Sequence, residues 1–273
     1  MRPSPTASLL LAVGGGLHGS SEFQPTVGGD LNSLSTNLSY RKRSFRAVAT
    51  ASTAAPLEWT IDIDENAPRD VYSMMEWAEQ AGVQKADGFQ LAQQDNDDGL
   101  EDYGVVTTQD LFAGSPVLFV PNHLILSSSA TDNNGDSSQM NMAEEQLVEA
   151  GLLEDEEIPL FRLFVQILVE YEKGADSPYY AWLNALPRRY NNGAAMTYAC
   201  FDCLPPYVAL LAKQQRATFK KFHKVLHYVP FIDGILYMDR HLVKFAYNVA
   251  VTRSLDGENG EKRIVPLADM VRN

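Results

Sequence analysis

The spacing of apolar residues divides the chain into two parts. A short first part has one helical segment followed by β-rich runs, and a longer second part is helical. Over 70–81 apolar residues recur every three or four residues, which predicts a short amphipathic helix. Runs rich in β-branched and aromatic residues follow at 88–92, 103–108 and 116–121, separated by turn residues such as glycine and aspartate. These runs predict a small antiparallel β-unit after the first helix.

A long central block of the chain has helical periodicity. The pattern predicts helices over 142–153, over 159–173 with Pro159 in the first turn, over 179–186, from Pro205 onward, and over 234–251. In the helix over 159–173 the polar residues form one narrow stripe on an otherwise apolar cylinder. That stripe, which indicates a mostly buried helix, consists of Arg162, Gln166 and Glu170.

The order of these elements predicts an α+β fold. Residues 127–141 are rich in Ser, Asn, Asp and Gly, which predicts a loop or a disordered insertion where the helical block begins. Sequence typical of strands returns after the turn-rich stretch at 256–260. We therefore expect the helical block to be inserted into a sheet whose C-terminal part is missing from the chain.

Composition narrows the class of protein. The chain has 273 residues, of which 45% are hydrophobic, enough for a sizeable core, and a net charge of −13 that argues against nucleic-acid binding. Two cysteines, Cys200 and Cys203, are too few for a disulfide framework. No apolar run is long enough for a membrane span, so the mature protein is predicted not to be a membrane protein.

The first 57 residues differ in composition from the rest. They carry a net charge of +3 against −16 for the remainder, and a short apolar run after Arg2 precedes a segment rich in Ser, Thr, Asn and Arg. This arrangement resembles a signal sequence followed by a transit peptide, which predicts targeting to a plastid (chloroplast). The alternative is a disordered N-terminal segment on a cytoplasmic protein.

Several separated stretches resemble one protein family. They are Gly104-Val105 with Asp110-Leu111, the run 117–121, the stretch YYAWLNALPR at 179–188, Val251 to Arg253, and VPLADM at 265–270. In this order they are similar to the motifs of SET-domain protein methyltransferases of the Rubisco large-subunit lysine methyltransferase type. The resemblance extends from about Met75 to Asn273 and implies a SET-domain β-fold split by a long helical insertion.

The same resemblance implies the function and the domain organisation. It predicts S-adenosyl-L-methionine as cofactor and a protein substrate that is methylated on lysine. It assigns the catalytic role to no residue of this chain. The implied organisation is a targeting or disordered segment at 1–57, the first SET part at 58–127, the helical insertion at 128–255 and the start of the second SET part at 256–273. Two alternatives are a catalytically incomplete SET-like binding module or fragment, and a protein-histidine methyltransferase.

The resemblance also implies a set of cofactor-binding residues. The closing motif departs from the family where Asn-His is usual, because Arg272 and Asn273 stand there and the chain then ends. Val106 and Ser115 stand where the family often has Arg and Glu, so main-chain contacts are expected to matter more than side-chain contacts at these two positions. The implied cofactor-binding residues are Val106, Ser115, Val117, Arg253, Asp269 and Asn273.

Other residues favour no metal or redox site. His223 and His227 have a spacing that can hold zinc on a helix, but no third ligand accompanies them at a metal-site spacing. Cys200 and Cys203 lack a second cysteine pair. The acidic pairs and runs, Glu144-Glu145 and 154–157, are predicted to be solvated surface near helix ends.

Overall fold

Short strands lie at both ends of the described chain, with a block of helices between them. The computed structural model describes residues 61–95, 101–129, 136–257 and 260–270. The mixture of helices and strands confirms the predicted α+β class. The predicted targeting segment 1–57 and the site candidate Asn273 lie outside the described residues.

The N-terminal part forms as its pattern predicts. Helix α1, Val71–Gln80, begins after Asp70, whose carboxylate accepts a hydrogen bond from the Ser73 amide at 2.9 Å, and it buries Val71, Met74 and Ala78. Strands β2 (Phe89–Asp95) and β3 (Glu101–Thr107) pair antiparallel, with Ala92 opposite Gly104. Strands β1 (Gln84–Lys85) and β4 (Leu118–Phe119) form a second antiparallel pair.

The central block contains seven helices within the described ranges. They are α2 (Asp136–Glu149), α3 (Ile158–Glu172), α4 (Tyr180–Ala185), α5 (Tyr198–Asp202), α6 (Pro206–Val225), α7 (Gly234–Met238) and α8 (Arg240–Arg253). Helix α3 packs along α8, and α6 covers the same core. Five rings interlock at this junction with centroid separations of 5.2 to 6.3 Å, contributed by Phe161, Phe164, Phe219, Phe222 and Tyr247.

Two predictions about this block are wrong. The predicted loop over 127–141 is helical from Asp136 onward, because Met140, Ala143 and Leu147 bury one face of α2 against the core. The single helix predicted over 234–251 is two helices. Asp239 ends the first and caps the second, since its carboxylate accepts hydrogen bonds from the amides of His241 and Leu242.

The polar stripe of α3 holds neighbouring segments in place. Arg162 donates to the Glu144 carboxylate with Nε, at 2.9 Å, and to the Ser128 carbonyl at 3.1 Å. Gln166 donates to the Ser127 carbonyl at 3.2 Å. Glu144 is buried, so the prediction of a solvated residue is wrong there: the guanidinium of Arg162 compensates the loss of water around its carboxylate.

Strands from both sides of the helical block form one small sheet. Strand β5 is Leu126–Ser127, β6 is Leu255–Asp256 and β7 is Lys262–Ile264, and β7 lies between the other two. Both pairings are antiparallel, with Leu126 opposite Ile264 and Leu255 opposite Arg263. The chain therefore leaves this sheet, forms the helices and returns to it. Among the helices described, none is long and apolar enough to cross a membrane.

Gly193 lies where the segment after α4 meets the backbone of α6. A Cβ atom at this position would stand 2.1 Å from the Ala212 carbonyl oxygen and 2.7 Å from its Cα. The Gly193 amide donates to Gln215 Oε1 at 2.7 Å, and the Gly193 carbonyl accepts from Arg216 Nε at 3.1 Å. This segment is thus fixed to α6 at a separation that only glycine permits.

We expect Gly193→Ala to lower the free energy of unfolding by about 2 kcal/mol, because the backbone of one segment must move away from the other. Urea denaturation followed by circular dichroism measures the change. Gly234→Ala is the matched control, since nothing lies within 4 Å of a Cβ built there and the φ of Gly234 is not positive. A Gly193→Ala variant as stable as the unchanged protein would contradict the close packing.

Candidate functional site

The side chains of Arg253 and Asp269 meet at the end of α8. Asp269 lies in the turn Ala268–Met270, and only 1% of its side chain is exposed. Its Oδ2 accepts a hydrogen bond from Trp182 Nε1 at 3.2 Å and lies 3.8 Å from Nη1 of Arg253. That nitrogen donates instead to the main-chain carbonyl of Asp269. The ion pair is therefore long, and the arginine mainly fixes the backbone of the turn.

A strained residue precedes this turn. Leu267 has φ of 66°, the one positive value at a non-glycine residue in the described part of the chain, and its side chain is completely buried. A bulky side chain in the left-handed region costs of the order of 1–3 kcal/mol, and such strain is concentrated at functional sites. Backbone hydrogen bonds from Asp269 N to Val265 O and from Met270 N to Leu267 O, both 3.1 Å, hold the conformation.

The turn is surrounded by residues from the first part of the chain. Strand β3 contacts the turn Ala268–Met270 directly. Arg69, just before α1, donates from Nε to the Ala185 carbonyl at 2.9 Å, and its guanidinium lies 5.0 Å from the centroid of the Tyr103 ring on β3. Trp182 on α4 completes the contact. Segments far apart in sequence therefore converge on Asp269.

Burial dominates the electrostatics of this cluster. Loss of water raises the pKa of the Asp269 carboxyl above its usual value, an effect that the neighbouring Arg253 opposes but does not cancel. Burial, and then the charge of Arg253, lower the pKa of Arg69 to about 10. Burial also raises the pKa of the Tyr190 hydroxyl. A charge inside this cluster is thus poorly solvated, and interactions with it are stronger than at the surface.

Oδ1 of Asp269 and the hydroxyl oxygen of Tyr190 are buried and have no hydrogen-bond partner in the described part of the chain. Buried polar atoms are normally paired, so each such atom needs an explanation. A carboxylate oxygen and a phenol together can accept from, and donate to, a polar ligand.

The other predicted site residues lie at different distances from this pair. Val106 is half-buried on β3, the strand that contacts the Asp269 turn, and stands opposite Gln90. Ser115 is exposed in a turn closed by its amide and the Phe112 carbonyl at 3.1 Å. Val117 is partly buried, and its carbonyl accepts from the Ala86 amide at 2.9 Å. No hydrogen bond or ion pair among the described residues connects Ser115 or Val117 to Asp269.

Three residues of the cluster were not predicted from the sequence as site residues. Trp182 lies within the motif stretch YYAWLNALPR. That motif was the sequence signal that could have identified Trp182 as a contact of the closing segment. Arg69 and Tyr190 have no comparable local signal. Their proximity to Arg253 and Asp269 depends on how α1 and the segment after α4 pack.

The weaker sequence candidates lie elsewhere. His223 Nε2 is 3.0 Å from the Tyr237 carbonyl and His227 Nδ1 is 2.6 Å from the Lys224 carbonyl. Cys200 and Cys203 are exposed free thiols. Within the described ranges, no three His, Cys, Asp or Glu side chains are grouped as a metal site would need.

Compared with known protein families and with curated proteins, the chain matches no family model and no curated protein.

Proposed function

We propose that the protein is an S-adenosyl-L-methionine-dependent protein-lysine N-methyltransferase of the SET type. The observation that carries the proposal is the convergence of separated motif stretches. Strand β3 with Val106, Trp182 of YYAWLNALPR, Arg253 and Asp269 come from different parts of the chain and meet around one turn. If these stretches resembled the family only by chance, we would not expect them to lie together at one turn.

The topology supports the same proposal. In a SET-type fold split by an insertion, strands before and after the insertion must share a sheet. Here β5 precedes the helices, β7 follows them, and the two pair antiparallel. The stripe on α3, through Arg162 and Gln166, binds the main chain at Ser127 and Ser128 beside that sheet. The insertion and the sheet are therefore joined by side chains as well as by the chain itself.

The residues of the cluster fit a polar cofactor. The unpaired Asp269 Oδ1 can accept hydrogen bonds, and the unpaired Tyr190 hydroxyl can donate or accept one, as the amino and hydroxyl groups of S-adenosyl-L-methionine require. Arg253 is engaged with the turn itself, so we assign it the role of positioning Asp269. When bound, the cofactor would supply a methyl group on a sulfonium for transfer to an amine. The protein would orient the two reactants.

The direct test is binding and transfer with the full chain. Calorimetric titration with S-adenosyl-L-methionine is expected to give saturable binding. Cofactor labelled in its methyl group is expected to label proteins of an extract. Hydrolysis of the labelled proteins to amino acids then separates methyl-lysine from methyl-histidine, and label on histidine would favour the alternative acceptor. Absence of both binding and transfer would refute the proposal.

Arg253→Gln is expected to weaken cofactor binding about tenfold, because the turn that presents Asp269 loses its guanidinium anchor. Arg253→Lys is expected to recover part of the affinity. The control is Arg263→Gln, which removes an arginine on β7 that forms two hydrogen bonds with Glu261. Circular dichroism melts establish that each variant is folded. Equal affinity of the Arg253 and Arg263 variants would exclude a role of Arg253 in binding.

One surface favours a second candidate function, a protein-binding module without transfer activity. The start of α6 exposes adjacent apolar side chains. Tyr207 is 70% exposed and Leu210 is 51% exposed, and Val208 and Leu211 are exposed beside them. Exposed apolar patches of this kind mark protein contacts. Two results together would favour this candidate over the enzyme: no cofactor binding in the calorimetric titration, and a protein interaction that Leu210→Asp abolishes.

A further inference from the structure

A pocket of about 460 Å³ lies between residues 194–198, α6 and the start of α8. Its volume is within the range of about 300–1,000 Å³ typical of small-molecule sites. None of Arg69, Tyr190, Arg253 and Asp269 lines it, although it shares Ala195, His241 and Lys244 with a neighbouring pocket that Tyr190 lines. The lining of the first pocket contains no acidic side chain but five basic ones, Arg216, Lys220, Arg240, His241 and Lys244.

The basic side chains of this pocket form no ion pairs with the described residues. None of the five basic side chains has a carboxylate within 4.0 Å among the described residues, although the chain as a whole has a net charge of −13. Acidic residues are abundant in the chain, but none of them lines this pocket. Like charges that face one concave site repel each other and attract anions.

The pocket is also rigid on one side. The guanidinium of Arg216 lies 4.9 Å from the centroid of the Tyr198 ring and 4.6 Å from that of Phe201, and its Nε donates to the Gly193 carbonyl. Lys220 Nζ is 3.4 Å from the Tyr198 hydroxyl. The side chain of Arg216 also hydrogen-bonds with the Tyr198 hydroxyl, so the guanidinium is held in a fixed position at the wall of the pocket. Fixing a cation before binding reduces the entropy that a ligand must overcome.

We propose that this pocket binds a small anion that carries two or more phosphate groups. Four of the basic side chains are arginine or lysine, and two phosphate groups of about −2 each would balance four positive charges. Guanidinium groups match phosphate oxygens in pairs and ammonium groups add point charges, so the lining combines both modes of phosphate recognition. The negative charge of the whole chain disfavours an extended nucleic acid, whose backbone would meet acidic surface outside the pocket.

This assignment does not rest on methyltransferase activity. The phosphate site could regulate the protein or hold part of a substrate, and in both cases it binds without S-adenosyl-L-methionine. Failure of the cofactor titration therefore leaves the phosphate site in place, and failure of phosphate binding leaves the methyltransferase proposal in place.

The test is calorimetric titration of the full chain with diphosphate and tripolyphosphate, first at low salt and then at physiological salt. Arg240→Glu and Lys244→Glu are expected to weaken tripolyphosphate binding by about tenfold each. Neither residue has a hydrogen bond or an ion pair to another side chain in the described structure, and a glutamate at position 240 suits the first turn of α8. Loss of stability is thus not expected, and thermal melts check it.

Lys213→Glu is the matched control, because Lys213 is exposed on α6 but does not line the pocket, and the change in charge is the same. Tighter binding of tripolyphosphate and diphosphate than of inorganic phosphate, weakened by the two pocket variants alone, supports the site. Tighter binding of adenosine diphosphate than of diphosphate would add recognition of a base to that support. Equal weakening by Lys213→Glu would overturn the proposal in favour of a diffuse surface charge, and preference for a hexaglutamate peptide would overturn it in favour of an acidic peptide. No saturable binding at millimolar concentration would overturn it outright.

Discussion

Asp269→Ala is expected to lower the free energy of unfolding by about 3 kcal/mol. The change leaves the Trp182 indole N–H buried without an acceptor and removes the carboxylate beside Arg253. Urea denaturation at pH 7 gives the value. A loss below about 1 kcal/mol would mean that the cluster contributes little to the fold.

Asp269→Asn separates the shape of this residue from its charge. The amide keeps an acceptor for Trp182 and is neutral, so the loss at pH 7 is expected to stay below about 1 kcal/mol. The pKa of the Asp269 carboxyl is raised in the folded state by burial, so the folded protein holds this proton more tightly than the unfolded chain does.

The stability of the unchanged protein relative to Asp269→Asn should therefore fall as the pH rises from about 3.8, the carboxyl's ordinary pKa, through its raised folded-state pKa. Above that range the difference should be constant. Denaturation midpoints of the two proteins measured in parallel from pH 4 to pH 8 give this profile. A difference that grows with pH would mean that Arg253 lowers the pKa of the carboxyl instead.

Phe222→Ala is expected to have the largest effect on stability, about 4 kcal/mol. The Phe222 side chain is completely buried, and its ring centroid lies 5.2 Å from that of Phe161, 5.9 Å from Phe164 and 5.8 Å from Tyr247. Truncation opens a cavity at the point where α3, α6 and α8 meet. Phe222→Leu retains most of the volume and should cost about 1.5 kcal/mol or less. Urea denaturation compares the two variants, and equal losses would argue against close packing of the rings.

The elements that were predicted well are those whose local pattern and tertiary packing agree. In α3, Pro159 marks the first turn, and the polar stripe stands against long apolar stretches, so sequence and structure coincide. In α2, local composition and packing disagree. The polar residues at its start favour a loop, but Met140 and Leu147 reach the core and order the helix.

The site was predictable only in part for a similar reason. Arg253 and Asp269 were identified by a motif resemblance, and the structure places them in contact. Arg69 and Tyr190 could not be found in this way, because their proximity to the turn is decided by long-range packing. The basic pocket was missed because its charges come from α6 and α8. These basic residues are scattered along a sequence whose net charge is −13, so they do not form a recognisable basic run.

The pairing of β5 with β7 has a consequence for the order of folding. Ser127 and Glu261, which are joined by a hydrogen bond beside this pairing, stand 134 positions apart. Closing so long a loop costs chain entropy, and contacts of high sequence separation form slowly unless the intervening chain is already compact. We expect the helices to collapse first and the two strands to meet afterwards. The turn at Asp269 follows β7 directly, so the candidate site would be among the last parts of the protein to become native.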